Sequence, residues 1–159
     1  MSGTGRVSTI RPAGSFAAAA AIDRVVLDAG DRQRRRIVLT GEKGTKLLLD
    51  FEKPVILRDG DGLVLEDGSI VVVAGQAEPL VQISAKAPAD LVRLAWHIGN
   101  RHTDAQFTEK AFRIRRDHVL EEMVKGLGAA TREIEAPFDP EPAAPHGGGH
   151  HHHHHHHHD

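Results

Sequence analysis

Histidines crowd the end of this chain, where they are dense enough to bind a metal ion. Ten of the thirteen histidines lie within the last fourteen residues. They are His146, His150, His151, His152, His153, His154, His155, His156, His157 and His158. A neutral imidazole offers one lone pair to borderline metals such as nickel, zinc and copper. The run therefore predicts a tail that binds a divalent metal.

An expression tag is the alternative interpretation of the same tail, and a tag has to be excluded from reasoning about the fold. Three features favour a native segment. The run is longer than common tags, Asp159 follows it, and His146 stands apart from it behind a proline-rich linker. The body of the chain has to decide between the two interpretations.

Composition limits both the class of protein and the kind of metal site. A chain of 159 residues, 40% hydrophobic and 26% charged, is long enough for one or two small domains. Its 20 Lys and Arg against 22 Asp and Glu exclude the basic field of a nucleic-acid-binding protein. There is no cysteine, so nitrogen and oxygen must hold any metal. Neither a leader nor a stretch of about 20 apolar residues is visible, which predicts a cytoplasmic protein without membrane contact.

The first half of the chain predicts an all-β domain over residues 1–78. Short aliphatic runs alternate with Gly and Asp, as is typical of many short strands. The runs are residues 25–27, 37–39, 47–51, 55–57, 63–65, 70–73 and 80–83. Residues 66–69, Glu-Asp-Gly-Ser, predict a hairpin between two of them. Asp59 and Asp61 belong to a second turn, and Arg32 with residues 34–36 predicts a basic surface patch.

The second half predicts two helices inserted among strands. Pro88 begins a helix over residues 87–98 with Gly99 as its stop, and Asp117 caps a second helix that ends at Gly128. Short strands are expected at residues 80–84, 105–107, 111–114 and 131–134. The order is strand, helix, strand, strand, helix, strand, so residues 79–136 predict a ferredoxin-like domain in an α+β protein. Residues 137–159, rich in Pro, Gly and His, predict a disordered tail.

Several motifs resemble the urease accessory protein E family, the urease nickel metallochaperones. They are the segments 96–102 (WHIGNRH), 116–120 (RDHVL), 126–128 (GLG), 137–141 (PFDPE), 31–37 (DRQRRRI) and 57–61 (LRDGD). The resemblance implies a β domain that binds peptide or partner, followed by a ferredoxin-like metal domain. It also implies a homodimer that delivers Ni²⁺ to apo-urease through other accessory proteins, including a GTPase.

The resemblance also assigns ligands. His102, which closes the Gly-Asn-Arg-His motif, matches the family's interface ligand, contributed by both protomers. His118 resembles a secondary ligand of some members, in which further histidines lie just upstream. This chain has Arg115 and Arg116 there, and it continues the first motif with Thr103 and Asp104 instead of an apolar residue and proline.

The residues alone leave alternatives open. A histidine just past a helix end is usually a solvated or capping residue, and a single histidine is a poor metal site unless symmetry supplies a second one. Trp96 and Val92 lie off the Leu91, Leu94 and Ile98 stripe, which predicts a second apolar face on this helix. Another subunit would cover that face, or Trp96 packs on the β domain of its own chain. His97 is expected at the surface boundary.

The predicted function is that of a carrier and not an enzyme. No catalytic triad, phosphate-binding loop or HExxH helix is visible. The chain would hold Ni²⁺ as cargo, with Zn²⁺ or Cu²⁺ as competitors because imidazole sites follow the Irving–Williams order. The first alternative is a protein-interaction module of the urease assembly complex whose tail only stores metal or is a tag. A metal-dependent hydrolase is a third hypothesis, and it lacks a visible general base.

Overall fold

A computed structural model describes residues 3–142 of the chain. It is a mixed α+β protein, mostly strands with two helices, arranged as two domains. The strands are β1 Gly5–Arg11, β2 Ala21–Leu27, β3 Gln33–Thr40, β4 Lys46–Ile56, β5 Gly62–Leu65, β6 Ile70–Gly75, β7 Glu78–Ser84, β8 Gln106–Phe107, β9 Ala111–Arg115 and β10 Ala130–Ala136. The helices are α1 Pro88–Asn100 and α2 His118–Gly126. Residues 18–20 form a short 3₁₀ turn, and His146 and residues 150–158 lie outside the described range.

The first six strands form one sheet in the order β2-β6-β5-β1-β4-β3. The predicted hairpin is confirmed, since β5 and β6 pair antiparallel around a turn with Gly68 at a φ of 86°. Two predicted runs merge into the single strand β4, which pairs with β3 across an irregularity between Arg34 and Arg36. Strand β1 had no sequence prediction, because only Val7 and Ile10 interrupt an otherwise polar or small stretch. The inward side chains of this sheet form one core, centred on the fully buried Leu47, Leu49 and Leu63.

The last four strands form a second sheet in the order β10-β7-β9-β8, with every neighbouring pair antiparallel. The predicted strands and both helices are present. Their buried side chains form a second core that includes Leu94 and Ile98 of α1, Leu120 and Val124 of α2, and Phe112 of β9. The core therefore fixes both helices against the sheet.

The ends of the two helices show one prediction right and one wrong. Asp117 caps α2 as predicted, because its carboxylate accepts a hydrogen bond from the Leu120 amide at 3.0 Å. Gly99, however, does not stop α1. The helix continues through Gly99 to Asn100, and the chain turns only at His102, which has a φ of 54°.

The prediction of a disordered tail from residue 137 onward is wrong for residues 137–141. Phe138 is completely buried, and Asp139 forms an ion pair with Arg32. Arg32 is itself only 3% exposed, so it does not belong to the predicted basic surface patch. The prolines at 137 and 140 suggested an unfolded linker, whereas the segment between them packs as an extended strap across the junction of the two domains. We call residues 137–141 the strap.

Candidate functional site

His102 lies where α1 ends, in a backbone conformation that glycine normally occupies. Arg101 caps the helix, and the next residue, His102, turns the chain with a φ of 54°. It is the one residue other than glycine with positive φ among residues 3–142. Because a Cβ atom makes this conformation costly by roughly 1–2 kcal/mol, a histidine here is unusual.

The end of α2 provides a direct comparison. Leu127 caps α2 with the same backbone angles as Arg101, and the following residue is Gly128 with a φ of 93°. The chain thus uses glycine at one helix end and histidine at the other for the same turn. Backbone strain at a residue of this kind points to a function for its side chain.

The exposed His102 side chain borders an open cavity of about 350 Å³. Ile98, Phe107 and Phe112 contribute apolar side chains to its lining. Glu141 and Asp104 also line the cavity, and the Asp104 carboxylate is paired with Arg115 at 3.3 Å. The lining therefore includes one histidine and two acidic residues, which are residue types that can ligate a divalent transition metal.

The predicted second apolar face of α1 is exposed. Trp96 is 64% exposed and Val92 is 69% exposed, so Trp96 does not pack on the β domain of its own chain. His97 is half-buried and contacts Trp96 edge to face, with ring centroids 5.1 Å apart. The exposed Trp96 and Val92 side chains leave this face of α1 suited to an apolar partner.

His118 occupies a different surface. It begins α2 and borders a separate cavity together with Arg116, Glu121 and Glu133. Arg116 bridges the two glutamates at 3.1 and 2.9 Å, and the hydrogen bond with Glu121 is the largest contribution that raises the pKa of Arg116. Arg116, two residues before His118, thus forms ion pairs with two glutamates. The structure does not bring His118 and His102 to one cavity.

One chain alone does not offer a complete metal site within residues 3–142. In that range no group of three or more His, Cys, Asp and Glu side chains is placed to hold an ion. A first-row divalent metal usually binds four or more donors. A metal ion bound at this cavity would therefore need further donors, such as water, a second chain or other histidines of the chain. In the described part of the chain, no helix has the length and apolarity needed to cross a membrane.

Sequence reasoning found His102 through its motif but missed two features of its surroundings. The left-handed turn was hidden because Gly99, three residues earlier, carried the expected stop signal. Glu141 was missed because its segment resembled a linker. The proline-flanked Phe138 was the available signal, since a large aromatic side chain seldom lies free in a disordered segment.

Comparison with known proteins assigns the family. The sequence model described as "UreE urease accessory protein, N-terminal domain" matches residues 4–76, and that of the C-terminal domain matches residues 78–159. A protein of Rhodopseudomonas palustris strain BisB18 named "Urease accessory protein UreE" is 60% identical over 125 residues, covering 79% of this chain and 59% of its own length. A protein of the same name from Rhizobium rhizogenes is 42% identical over 141 residues, covering 89% of this chain and 84% of its own length.

Coverage differs among these relatives. A protein of the same name from Bradyrhizobium strain ORS 278 is 59% identical over 125 residues. The chain spans about three fifths of the length of this protein and of the Rhodopseudomonas palustris protein, 60% and 59% respectively. Both domains are matched in order and almost without a gap. The chain therefore belongs to the family of the urease accessory protein UreE.

Proposed function

We propose that this protein is a nickel metallochaperone that holds Ni²⁺ at His102 and delivers it to apo-urease. The observation that carries the proposal is the conformation of His102. The chain retains a histidine in a left-handed turn where glycine would fit at lower energy, and the exposed side chain borders a cavity lined by acidic and apolar residues. Membership of the family supplies the cargo and the destination.

Two chains would complete the site. A single imidazole binds nickel weakly, whereas a two-fold axis near His102 would bring one imidazole from each of two chains to a shared ion. The exposed Val92 and Trp96 on the preceding helix support such a dimer, because burying them in an interface removes large apolar side chains from water. We therefore propose a homodimer with one nickel site at its two-fold axis.

The tail would add donors to this site. We propose that His146 and residues 150–158 replace the two His102 imidazoles as ligands one at a time. The ion would then keep at least one protein donor throughout its transfer. The match of the family sequence model through residue 159 supports a native tail. His118 is a secondary ligand in this proposal, although Arg116 beside it leaves no further imidazole there. Zn²⁺ and Cu²⁺ would compete for the same donors.

Each domain would have its own task. We propose a division into residues 1–78, 79–136 and 137–159, with the first residues of the last segment, 137–141, forming the strap. The sheet order β10-β7-β9-β8 supports a ferredoxin-like metal domain. The N-terminal domain would contact the urease accessory GTPase or the apo-urease complex in the cytoplasm. Its edge strand β3 supports this role, since it exposes Val38 and residues 34–36, all arginine, along an unpaired edge.

Isothermal titration of Ni²⁺ tests the proposal in three proteins. They are the full chain, the chain ending at Pro142, and the His102→Ala variant of the full chain. We expect the chain ending at Pro142 to keep the tightest site and lose only capacity, and His102→Ala to lose the tightest site. His118→Ala is the matched control and should keep it. Unchanged tight binding in His102→Ala would refute the proposal.

The interaction-module alternative makes the opposite prediction. If the β domain carries the whole function, urease activation in a reconstituted maturation assay does not depend on His102. The metallochaperone proposal expects His102→Ala to reduce activation at limiting nickel and to be rescued by excess nickel. Activation that is independent of His102 at limiting nickel would favour the interaction module.

A further inference from the structure

The strap carries the chain from one side of the C-terminal sheet to the other. Strand β10 ends at Ala136, at the edge of the sheet opposite to β8. His102 lies just before β8. Three strand spacings separate these edges, or roughly 14 Å at about 4.8 Å per spacing. The strap crosses this distance, and at its end the Glu141 amide donates a hydrogen bond to the Ala105 carbonyl at 2.7 Å. The residues that follow therefore start beside the His102 cavity.

Both domains hold the strap. On the C-terminal side, the Phe138 ring lies under the Arg115 guanidinium, 4.7 Å from the ring centroid. The Asp139 amide donates to Gln106 Oε1 at 3.1 Å. On the N-terminal side, Arg58 donates to the carbonyls of Asp139 and Pro140 at 3.4 and 3.5 Å. Pro137 packs closely on Gly75 of the N-terminal domain. A Cβ atom added at Gly75 would lie within 2.7 Å of the Pro137 side chain.

Arg32 is the centre of this arrangement. It is 3% exposed, it forms an ion pair with the Asp139 carboxylate, and its second nitrogen donates to the Phe138 carbonyl at 2.6 Å. Its Nε atom has no hydrogen-bond partner among the described residues. A buried guanidinium is costly unless a carboxylate compensates its charge. An apolar residue in place of Arg32 would pack in the core at lower cost. The Arg32–Asp139 pair therefore indicates that the position of the strap has to be fixed.

We propose that Arg32 and Asp139 are positioning residues that hold the start of the histidine-rich tail next to His102. The inference rests on the proposed function and adds to it how the tail reaches the site. With the strap in place, five residues separate Glu141 from His146, a reach of at most about 17 Å. With the strap released, the tether starts at Ala136, is ten residues long and begins at the far edge of the sheet.

The length of the tether sets the size of the effect. Effective concentration falls roughly as the −3/2 power of tether length, so doubling the tether lowers it about three-fold. The displaced starting point adds to this loss. The tether doubles for His146, whereas for residues 150–158 it lengthens by a smaller factor, which gives a loss of about 1.5- to two-fold. Releasing the strap should thus weaken the tail-dependent part of nickel binding about two- to three-fold and leave the tail-independent part unchanged.

A set of four proteins tests the proposal. Asp139→Asn is made in the full chain and in the chain ending at Pro142, and each is compared with its parent by nickel titration. We expect about two- to three-fold weaker binding in the full chain and no change in the shorter one. A purely structural role of Asp139 would change both proteins equally, and that result would overturn the proposal, as would no change in either. Asp31→Asn, which removes an acid paired with Arg34 at 3.4 Å on the surface, is the matched control.

A metal-free measurement separates this inference from the proposed function. Because the chain has no cysteine, a Thr103→Cys and Ala144→Cys pair reports proximity through its rate of disulfide formation under a mild oxidant. The tether to position 144 lengthens from three to eight residues when the strap is released, so we expect Asp139→Asn to slow this rate about four-fold. Gln106→Ala removes one strap hydrogen bond without exposing a buried charge and should act in the same direction if Asp139→Asn fails to fold. An unchanged rate in the folded variants would overturn the strap proposal, whatever the outcome with nickel.

Discussion

His102 occupies a backbone position that glycine would fill at lower energy, and this gives a prediction that separates stability from metal binding. We expect His102→Gly to raise the free energy of unfolding by about 1 kcal/mol, because the left-handed turn no longer carries a Cβ atom. The same variant should lose the tightest nickel site. Urea unfolding and nickel titration measure the two effects.

The equivalent turn at the end of α2 is the control for that experiment. Gly128→Ala should lower the free energy of unfolding by about 1 kcal/mol, since it introduces the strain that His102 already bears. If His102→Gly proved less stable than the parent, the imidazole would serve the fold, and the argument from strain to function would be wrong.

Asp23 is the residue whose ionisation should govern stability in acid. Its carboxylate is buried, which acts to raise its pKa, but hydrogen bonds from the Lys43 amide, from Thr45 and from the Arg24 amide outweigh burial and lower the pKa to about 2. The ordinary pKa of an aspartate side chain, which we take for the unfolded chain, is 3.8. A lowered folded pKa stabilises the protein above the unfolded value, and this contribution is lost as the pH falls from about 4 to about 2.

Asp23→Asn tests this account of acid stability. At pH 7 we expect the variant to lose about 2 kcal/mol of unfolding free energy, because an amide cannot accept all of these hydrogen bonds as well as a carboxylate does. The difference from the parent should shrink as the pH approaches 2. Asp67→Asn in the exposed hairpin turn should cost less, although Ser69 lowers the pKa of Asp67 as well. A pH-independent difference for Asp23→Asn would contradict the assignment.

At the scale of elements, the two helices offer a matched pair of exposed valines. Val92 on α1 is 69% exposed and Val119 on α2 is 64% exposed. If α1 forms the dimer contact, a charge at Val92 is buried without a partner, while a charge at Val119 stays in water. We expect Val92→Asp to raise the dimer dissociation constant at least ten-fold and Val119→Asp to leave it unchanged, as measured by analytical ultracentrifugation. The reverse result would place the interface on α2.

Elements with a strong local pattern were predictable from sequence, and contacts distant in sequence were not. The Asp117 cap and the hairpin over residues 63–73 follow from rules that act within a few residues, and both are confirmed. Strand β1 is defined by partners about forty to sixty residues away, on β4 and β5. Its own residues carry too little apolar alternation to reveal it.

At the scale of the whole molecule, the strap changes where the folded part of the chain ends. Ending the chain after Ala136 removes Phe138 from the core and leaves Arg32 buried without its carboxylate. Leaving such a charge unpaired costs about 3–5 kcal/mol. We expect that loss in the free energy of urea unfolding, whereas ending the chain after Pro142 should leave stability unchanged. Equal stability of the two truncated proteins would show that the strap contributes nothing to the fold.

The difference between local patterns and contacts distant in sequence also explains which parts of the site could be predicted from the sequence. The motif identified His102, because the residues around it are contiguous. Glu141 lines the cavity beside His102, and the ion pair that holds the strap joins residues 107 positions apart. No local pattern predicts such a contact. Arg32 in particular resembled a member of the exposed arginine run that follows it, and only its burial distinguishes it.

Native mass spectrometry of the chain ending at Pro142 tests most directly whether two chains share one nickel ion through His102. At limiting nickel, the account predicts that the parent dimer carries a single ion. Dimers that contain one His102→Ala chain should carry well under half as much nickel as parent dimers, because both imidazoles hold the same ion. Metal-loaded monomers, or dimers of His102→Ala that bind nickel as tightly as the parent, would contradict it.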